Sequence, residues 1–277
     1  MHANQPRDAA ICVLGAHRSG TSAITRTLNI LGVNLGNEEA LVPATFDNPD
    51  GFWEHANIVR IQDEILGSLG YKWDTTLPLP DGWEERTHLD EYISALKGVV
   101  LSEFLGRGLW GWKDPRTCLL LPIWKKAIEY FPVDVCYLHV LRNPLEVADS
   151  LRRRNGFSMN RGLAIWFVYT LSALRGVGRG VRAFISYDKL FADPKSEVAR
   201  ALSTLGLSAL CHDESSWDKV RAFIEPERRH SYVSTAKFQN ADVPLSVKQL
   251  YSVCMSHMTI HHMGLLISSL KTSMTYM

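Results

Sequence analysis

Apolar residues gather along the chain in four short runs, at residues 9–14, 109–113, 135–141 and 181–187. Each is roughly five to seven residues long and nearly unbroken, the pattern of strands buried on both faces. Between the runs the spacing changes. Residues 21–31 carry Ile24, Leu28 and Leu31 on one helical face, and Gly32 stands where such a helix ends. Residues 87–105 place Leu89, Leu96, Val100 and Phe104 behind a capping pair, Thr87 and Asp90. Residues 143–154 open with Asn143 as N-cap, Pro144 at the first helical position and Glu146 three residues after the cap. Residues 162–175 are apolar and aromatic enough for a mostly buried helix. Strands alternating with helices predict an α/β fold of three layers, a central parallel sheet flanked by helices.

The stretch 36–85 breaks this rhythm. It is rich in Asn, Asp, Pro, Gly and Trp, which predicts a loop-rich covering over a site. The 277 residues hold no internal repeat and fit one domain, 1–277, with 240–277 as a C-terminal helical extension. The apolar stretch CMSHMTIHHMGLLISSL is interrupted by Ser and His and reads as a packed helix, so no membrane span is expected. With 46% hydrophobic and 21% charged residues the chain can build a core without disulfides. Its net charge of +1 gives no general attraction for nucleic acid or anionic membranes, so an anion site must be built locally. Five scattered cysteines with no CxxC pair suit reduced thiols. The first fifteen residues lack a basic start and a long apolar stretch, which predicts no signal peptide. A cytoplasmic protein is expected.

In open α/β sheets ligands bind beyond the carboxyl ends of the strands, and here each run ends in polar residues. The first leads into GAHRSGTS, where Gly15 and Gly20 keep the spacing of a Walker loop but no lysine precedes Thr21 and Ser22. Backbone N–H groups of such a turn, the following helix N-terminus, Arg18 and the hydroxyls would form an anion site. The second ends at Lys113 in GWKDPRT, a lysine that either snorkels or faces a developing negative charge. The third ends at Arg142 in LRNPLEVADSLRRR, with Ser150 about two turns into the helix, where both can face one phosphate. Residues 152–154 read as a solvated arginine face. The fourth ends at Tyr187 in ISYDKLFADP, a core or rim aromatic or a ligand contact. A third strand that ends in Arg rather than an acid disfavours a metal-dependent nucleoside triphosphatase. His257 and His261 would share a helix face, but HMTIH lacks a glutamate and no third ligand is in view, so no metal is expected.

Together these motifs resemble the sulfotransferases that use 3′-phosphoadenosine 5′-phosphosulfate (PAPS). HRSGTS resembles the family's 5′-phosphosulfate loop, and RNPLEVADS its 3′-phosphate motif, an Arg with a Ser eight positions on. GWKDPRT resembles the strand with the catalytic lysine, and SYDKLFADP the segment with a tyrosine near the nucleotide. The layout, NPDGFWEH included, is similar to bacterial sulfotransferases that modify glycans and lipids, over residues 9–195. The resemblance implies a P-loop-like sulfotransferase fold, PAPS as donor, adenosine 3′,5′-bisphosphate as product, and no metal.

It also implies roles. Lys113 and Arg18 would stabilise charge on the leaving phosphate. Ser19, Gly20, Thr21 and Ser22 would hold the 5′-phosphate, and Arg142 and Ser150 the 3′-phosphate. Arg228 and Arg229 in EPERRHSYV either close over the nucleotide or form a solvated basic turn. The general base is Glu54 by first choice, with adjacent His55 and Glu39 as alternatives. Two departures stand out. Ala23 and Ile24 occupy the place of the adenine-stacking Trp of the cytosolic branch, which leaves that task to Trp53 or Tyr187. Pro115 stands where that branch has a His. The implied acceptor is a hydroxyl of a glycan or glycolipid, a carbohydrate or lipid-linked glycan that Trp53, Trp73, Trp83 and Phe52 would face, with a small hydroxylated metabolite as the alternative. Two further classes stay open: a metal-dependent P-loop kinase of small molecules, and a non-catalytic nucleotide-binding protein of the same fold.

Overall fold

The four apolar runs are the four strands among the described residues: β1 (Asp8–Leu14), β2 (Leu109–Lys113), β3 (Val133–Leu141) and β4 (Arg182–Ser186). The structure, a computed structural model, describes residues 8–45, 48, 51–225 and 232–256. The strands pair in parallel in the order β2-β1-β3-β4. The register sets Val13 against Lys113 on one side and Leu14 against His139 on the other. Every strand therefore delivers its carboxyl end to the same edge of the sheet, with β1 in the interior of the order.

Helices cover both faces, as expected of a three-layer α/β fold. In chain order they are α1 (Thr21–Ile30), α2 (Ala56–Ser68), α3 (Asp90–Val99), α4 (Thr117–Ile128), α5 (Pro144–Asn155), α6 (Met159–Val177), α7 (Tyr187–Ala192), α8 (Pro194–Thr204), α9 (Glu214–Phe223), α10 (Thr235–Asn240) and α11 (Leu245–Met255). Alternate residues of β1 divide the core. Ala10, Cys12 and Leu14 face one cluster with Trp110, Trp112, Trp124 and the α6 side chains. Ile11 and Val13 face the other, with Ile24 and Leu28 of α1, Leu202 of α8 and Trp217 of α9. Burial on both faces is why the strands read as continuous apolar runs.

The structure differs from the sequence reading at several elements. The region 36–85 is not all loop: α2 lies within it and buries Ile58, Ile61 and Ile65 at helical spacing. Residues 87–105 form a 3₁₀ turn (Thr87–Leu89), α3 and a π turn (Val100–Phe104), and neither the 3₁₀ turn nor α3 has a side-chain cap. Asn143 caps α5 by accepting from Leu145 N at 3.0 Å, as its position predicts. Glu146 instead turns to Arg142 and to the backbone of Val233. Tyr187 lies in α7 rather than at the end of a strand, because the Ser186 hydroxyl caps that helix. Gly162 lets α6 approach α5 closely: a Cβ there would stand 2.6 Å from the Ala148 Cα. Among the described residues, no helix is long and apolar enough to cross a membrane.

Candidate active site

The loop between β1 and α1 is shaped for an anion. Gly15 is wedged so tightly that a Cβ would stand 2.9 Å from Val140 O, and its N–H donates to Cys118 Sγ at 3.2 Å. Arg18 and Gly20 both lie in the left-handed region, at φ 67° and 89°. At Gly20 a Cβ would fall 2.4 Å from the Tyr187 ring, so only glycine fits. The first turn of α1 has no acidic residue, and Gly20 offers it no side-chain cap, which leaves its N–H groups and the positive end of its dipole to the cleft. The Ser19 hydroxyl is buried and without a hydrogen-bond partner.

Lys113 arrives from the next strand over. Its Nζ donates to Glu54 Oε1 at 2.6 Å and to Ser22 Oγ at 3.2 Å, and Ser22 in turn donates to Phe52 O at 3.2 Å. Lys113 is 2% and Glu54 8% exposed, so this ion pair is nearly dry. Burial raises the Glu54 carboxyl above its ordinary value, against the opposing pull of Lys113. The chain reaches Glu54 through Gly51 and Trp53, both at positive φ, while the Arg26 guanidinium lies 4.4 Å over the Trp53 ring.

The end of β3 supplies the other half. Arg142 Nη1 donates to Arg18 O at 3.1 Å, its Nε donates to Glu146 Oε2 at 3.0 Å, and its guanidinium stacks 4.3 Å over Tyr187. Arg18 Nε donates to Ser150 Oγ at 2.9 Å. The loop and the RNPLEVADS segment, 132 residues apart at this contact, thus meet directly. Arg18, Gly20, Ser22, Glu54, Lys113, Arg142 and Ser150 open on one cleft of about 1330 Å³, lined also by Trp53, Trp73, Phe191 and Phe223.

No family model matches the chain, and no curated protein matches its sequence. Solved structures do. The sulfotransferase domain from the Synechococcus PCC 7002 olefin synthase superposes with a TM-score of 0.50 at 17% identity, over 91% of this chain and 97% of that one. The fold is that of a sulfotransferase domain. The sulfotransferase domain from the curacin biosynthetic pathway follows at a TM-score of 0.45 and 13% identity, over 90% of this chain and 97% of that one. A sulfotransferase from Mycobacterium tuberculosis H37Rv follows at 0.40 and 16%, over 89% and 76%.

On this sulfotransferase fold the residues expected from sequence separate into three groups. Arg18, Gly20, Thr21, Ser22, Glu54, Lys113, Arg142, Ser150 and Tyr187 line the cleft, and Ser19 is buried within the loop. His55 and Glu39 are not among the lining residues. The His55 ring packs edge-on against Phe104, with Nε2 3.8 Å from Glu103, and Glu39 sits exposed in the short turn Glu38–Ala40. Arg228 and Arg229 lie outside the described residues, as do His257, His261 and His262. Among the described residues, no three His, Cys, Asp or Glu side chains group as metal ligands. Sequence reasoning passed over His17 and Arg116, both cleft-lining and both inside motifs it quoted. Arg116 is held by Asp63 at 2.6 Å and by Asp114 at 3.0 Å.

Proposed function

We propose that this protein transfers a sulfuryl group from PAPS to a hydroxyl of an acceptor, a glycan or glycolipid. One observation carries the reading: Arg18 of the phosphate loop bonds Ser150 of the second phosphate motif, so both face one cleft beside the Lys113–Glu54 pair. A donor with phosphates at the 5′ and 3′ positions fits that double cradle, and the buried, unpartnered Ser19 hydroxyl fits a ligand at the loop. Bound there, the donor supplies the sulfuryl group and a phosphate that takes the electron pair of the broken S–O bond.

The chain supplies the rest. The loop N–H groups with Thr21 and Ser22 hold the 5′-phosphate, and Arg142 and Ser150 hold the 3′-phosphate. Lys113 and Arg18 face the oxygen on which charge builds, the place where fixed cations lower a barrier most. Lys113 occupies Oε1 of Glu54, and Oε2 takes the proton of the attacking hydroxyl. Trp53 and Phe223 are the aromatic faces for adenine. Trp73 and Phe52 suit a sugar ring, and a small hydroxylated metabolite would use the same wall.

Calorimetric titration tests this. Adenosine 3′,5′-bisphosphate is expected to bind without metal at roughly micromolar Kd or better, and Arg142→Ala to weaken it at least about tenfold. Transfer to an acceptor panel with labelled PAPS then follows. Binding of ATP with Mg²⁺ and not of the bisphosphate would favour the kinase reading. Bisphosphate binding by the unaltered protein with no transfer to any acceptor would favour a non-catalytic protein.

A further inference from the structure

His17 stands in the phosphate loop and lines the cleft, yet none of the phosphate contacts above needs it. Its ring is wedged edge-on between Trp73, with centroids 4.7 Å apart, and Tyr169, at 5.3 Å. Nε2 is buried and has no hydrogen-bond partner. A polar ring held in this way costs stability unless its polarity is used. The geometry points to His17 as the acceptor-binding group of the cleft, its Nδ1 receiving a hydrogen bond from an acceptor hydroxyl beside the Trp73 face. This rests on the transferase reading above and deepens it.

The charged and titratable groups around His17 come from every side: Arg18 of its own loop, Lys113 of β2, Arg116 after β2, Arg154 of α5 and the Tyr169 hydroxyl of α6. Burial, with the four cations, pushes the imidazole well below its ordinary value of 6.5. The ring is therefore neutral across physiological pH. A neutral ring holds one N–H and one lone pair. With the N–H on the buried Nε2, which no acceptor meets, the lone pair falls on Nδ1. The four cations around it are donors only, so beside Glu54 the His17 lone pair is a further place for a hydroxyl to donate. Glu54 takes the proton of the reacting hydroxyl, and His17 holds a second hydroxyl of the same acceptor, so that the two groups do not compete for one hydrogen.

The test uses the whole protein and the variants His17→Ala and His17→Asn. All three are expected to bind adenosine 3′,5′-bisphosphate within about threefold of one another. No binding even by the unaltered protein brings down the donor reading, and this inference with it. A loss confined to His17→Ala, of more than about tenfold, overturns this inference alone, since His17 would then serve the donor. In side-chain ¹⁵N spectra of the bisphosphate-loaded protein, His17 is expected to keep its N–H on Nε2 from pH 8 down to 5.5. Its Nδ1 signal should move on addition of octyl β-D-glucopyranoside. A protonated ring, an N–H on Nδ1, or no movement overturns the inference. Where that glucoside is sulfated, His17→Ala should raise its KM about tenfold with kcat within about threefold, and His17→Asn should restore part of the loss. A fall in kcat at unchanged KM would make His17 a base rather than a binding group.

Discussion

Lys113 and Glu54 are 2.6 Å apart and nearly out of water, so neither can be removed without stranding the other. Breaking such a pair typically costs about 3–5 kcal/mol. Lys113→Met is expected to destabilise the fold by about 3 kcal/mol in denaturant melts and to lower transfer by at least about a hundredfold. Glu54→Gln keeps an oxygen for Lys113 and is expected to cost less, about 1–2 kcal/mol, while transfer is lost and bisphosphate affinity stays within about threefold. The acid limb of transfer should lie above the ordinary glutamate value of 4.5, because burial raises Glu54 and a protonated carboxyl takes no proton. An acid limb below 4.5 would assign the base elsewhere. At this scale the gathering of Lys113, Arg142 and Gly20 at one cleft was legible, since they sit where apolar runs stop. His17 was not, because its use depends on Trp73 and Tyr169, 56 and 152 residues away, which no local pattern brings together.

The loop between β1 and α1 owes its shape to elements far along the chain. Cys118 at the start of α4 accepts the Gly15 N–H, and Tyr187 at the start of α7 closes the space over Gly20. Cys118→Ala leaves a buried N–H without an acceptor and should cost about 1–3 kcal/mol, whereas Cys118→Ser keeps an acceptor and should cost less. Equal melting of the two variants would mean the sulfur contributes by packing alone. Gly20→Ala meets both a positive φ and a ring 2.4 Å away, and should abolish bisphosphate binding. The elements that position the loop differed in how openly the sequence declared them. The strands were plain because two covered faces leave uniform apolar runs. α2 was hidden by its surroundings, since Asn, Pro, Gly and Trp on either side outweighed Ile58, Ile61 and Ile65. α4 was hidden by Pro122 in its interior and by an almost wholly buried surface, which removes the polar face that marks a helix. The 3₁₀ and π turns around α3 change the residues per turn, so a single period of 3.6 cannot delimit them.

The molecule as a whole should be sensitive to mild acid. His139 on β3 is 2% exposed, and burial, helped by Arg182, lowers its value to about 3. The unfolded chain takes a proton there near pH 6.5 and the folded one does not. Stability is therefore full above about pH 6.5 and falls as pH drops towards 3, by up to about 1.4 kcal/mol per pH unit. His139→Leu should flatten that part of the melting-versus-pH curve by this slope while changing stability at pH 7 by less than about 1.5 kcal/mol. An unchanged slope would place the acid sensitivity elsewhere. A second coupling runs through Glu146, wholly buried, whose two oxygens take Arg142 Nε at 3.0 Å and Val233 N–H at 2.8 Å. One carboxylate thus ties Arg142 to the chain that leads into α10 and α11. An anion that draws on Arg142 competes with that carboxylate, and linkage makes the effect mutual. Amide exchange at Val233 should therefore change with occupancy of a cleft it does not line, so a backbone proton far along the chain becomes a gauge of whether an anion is there.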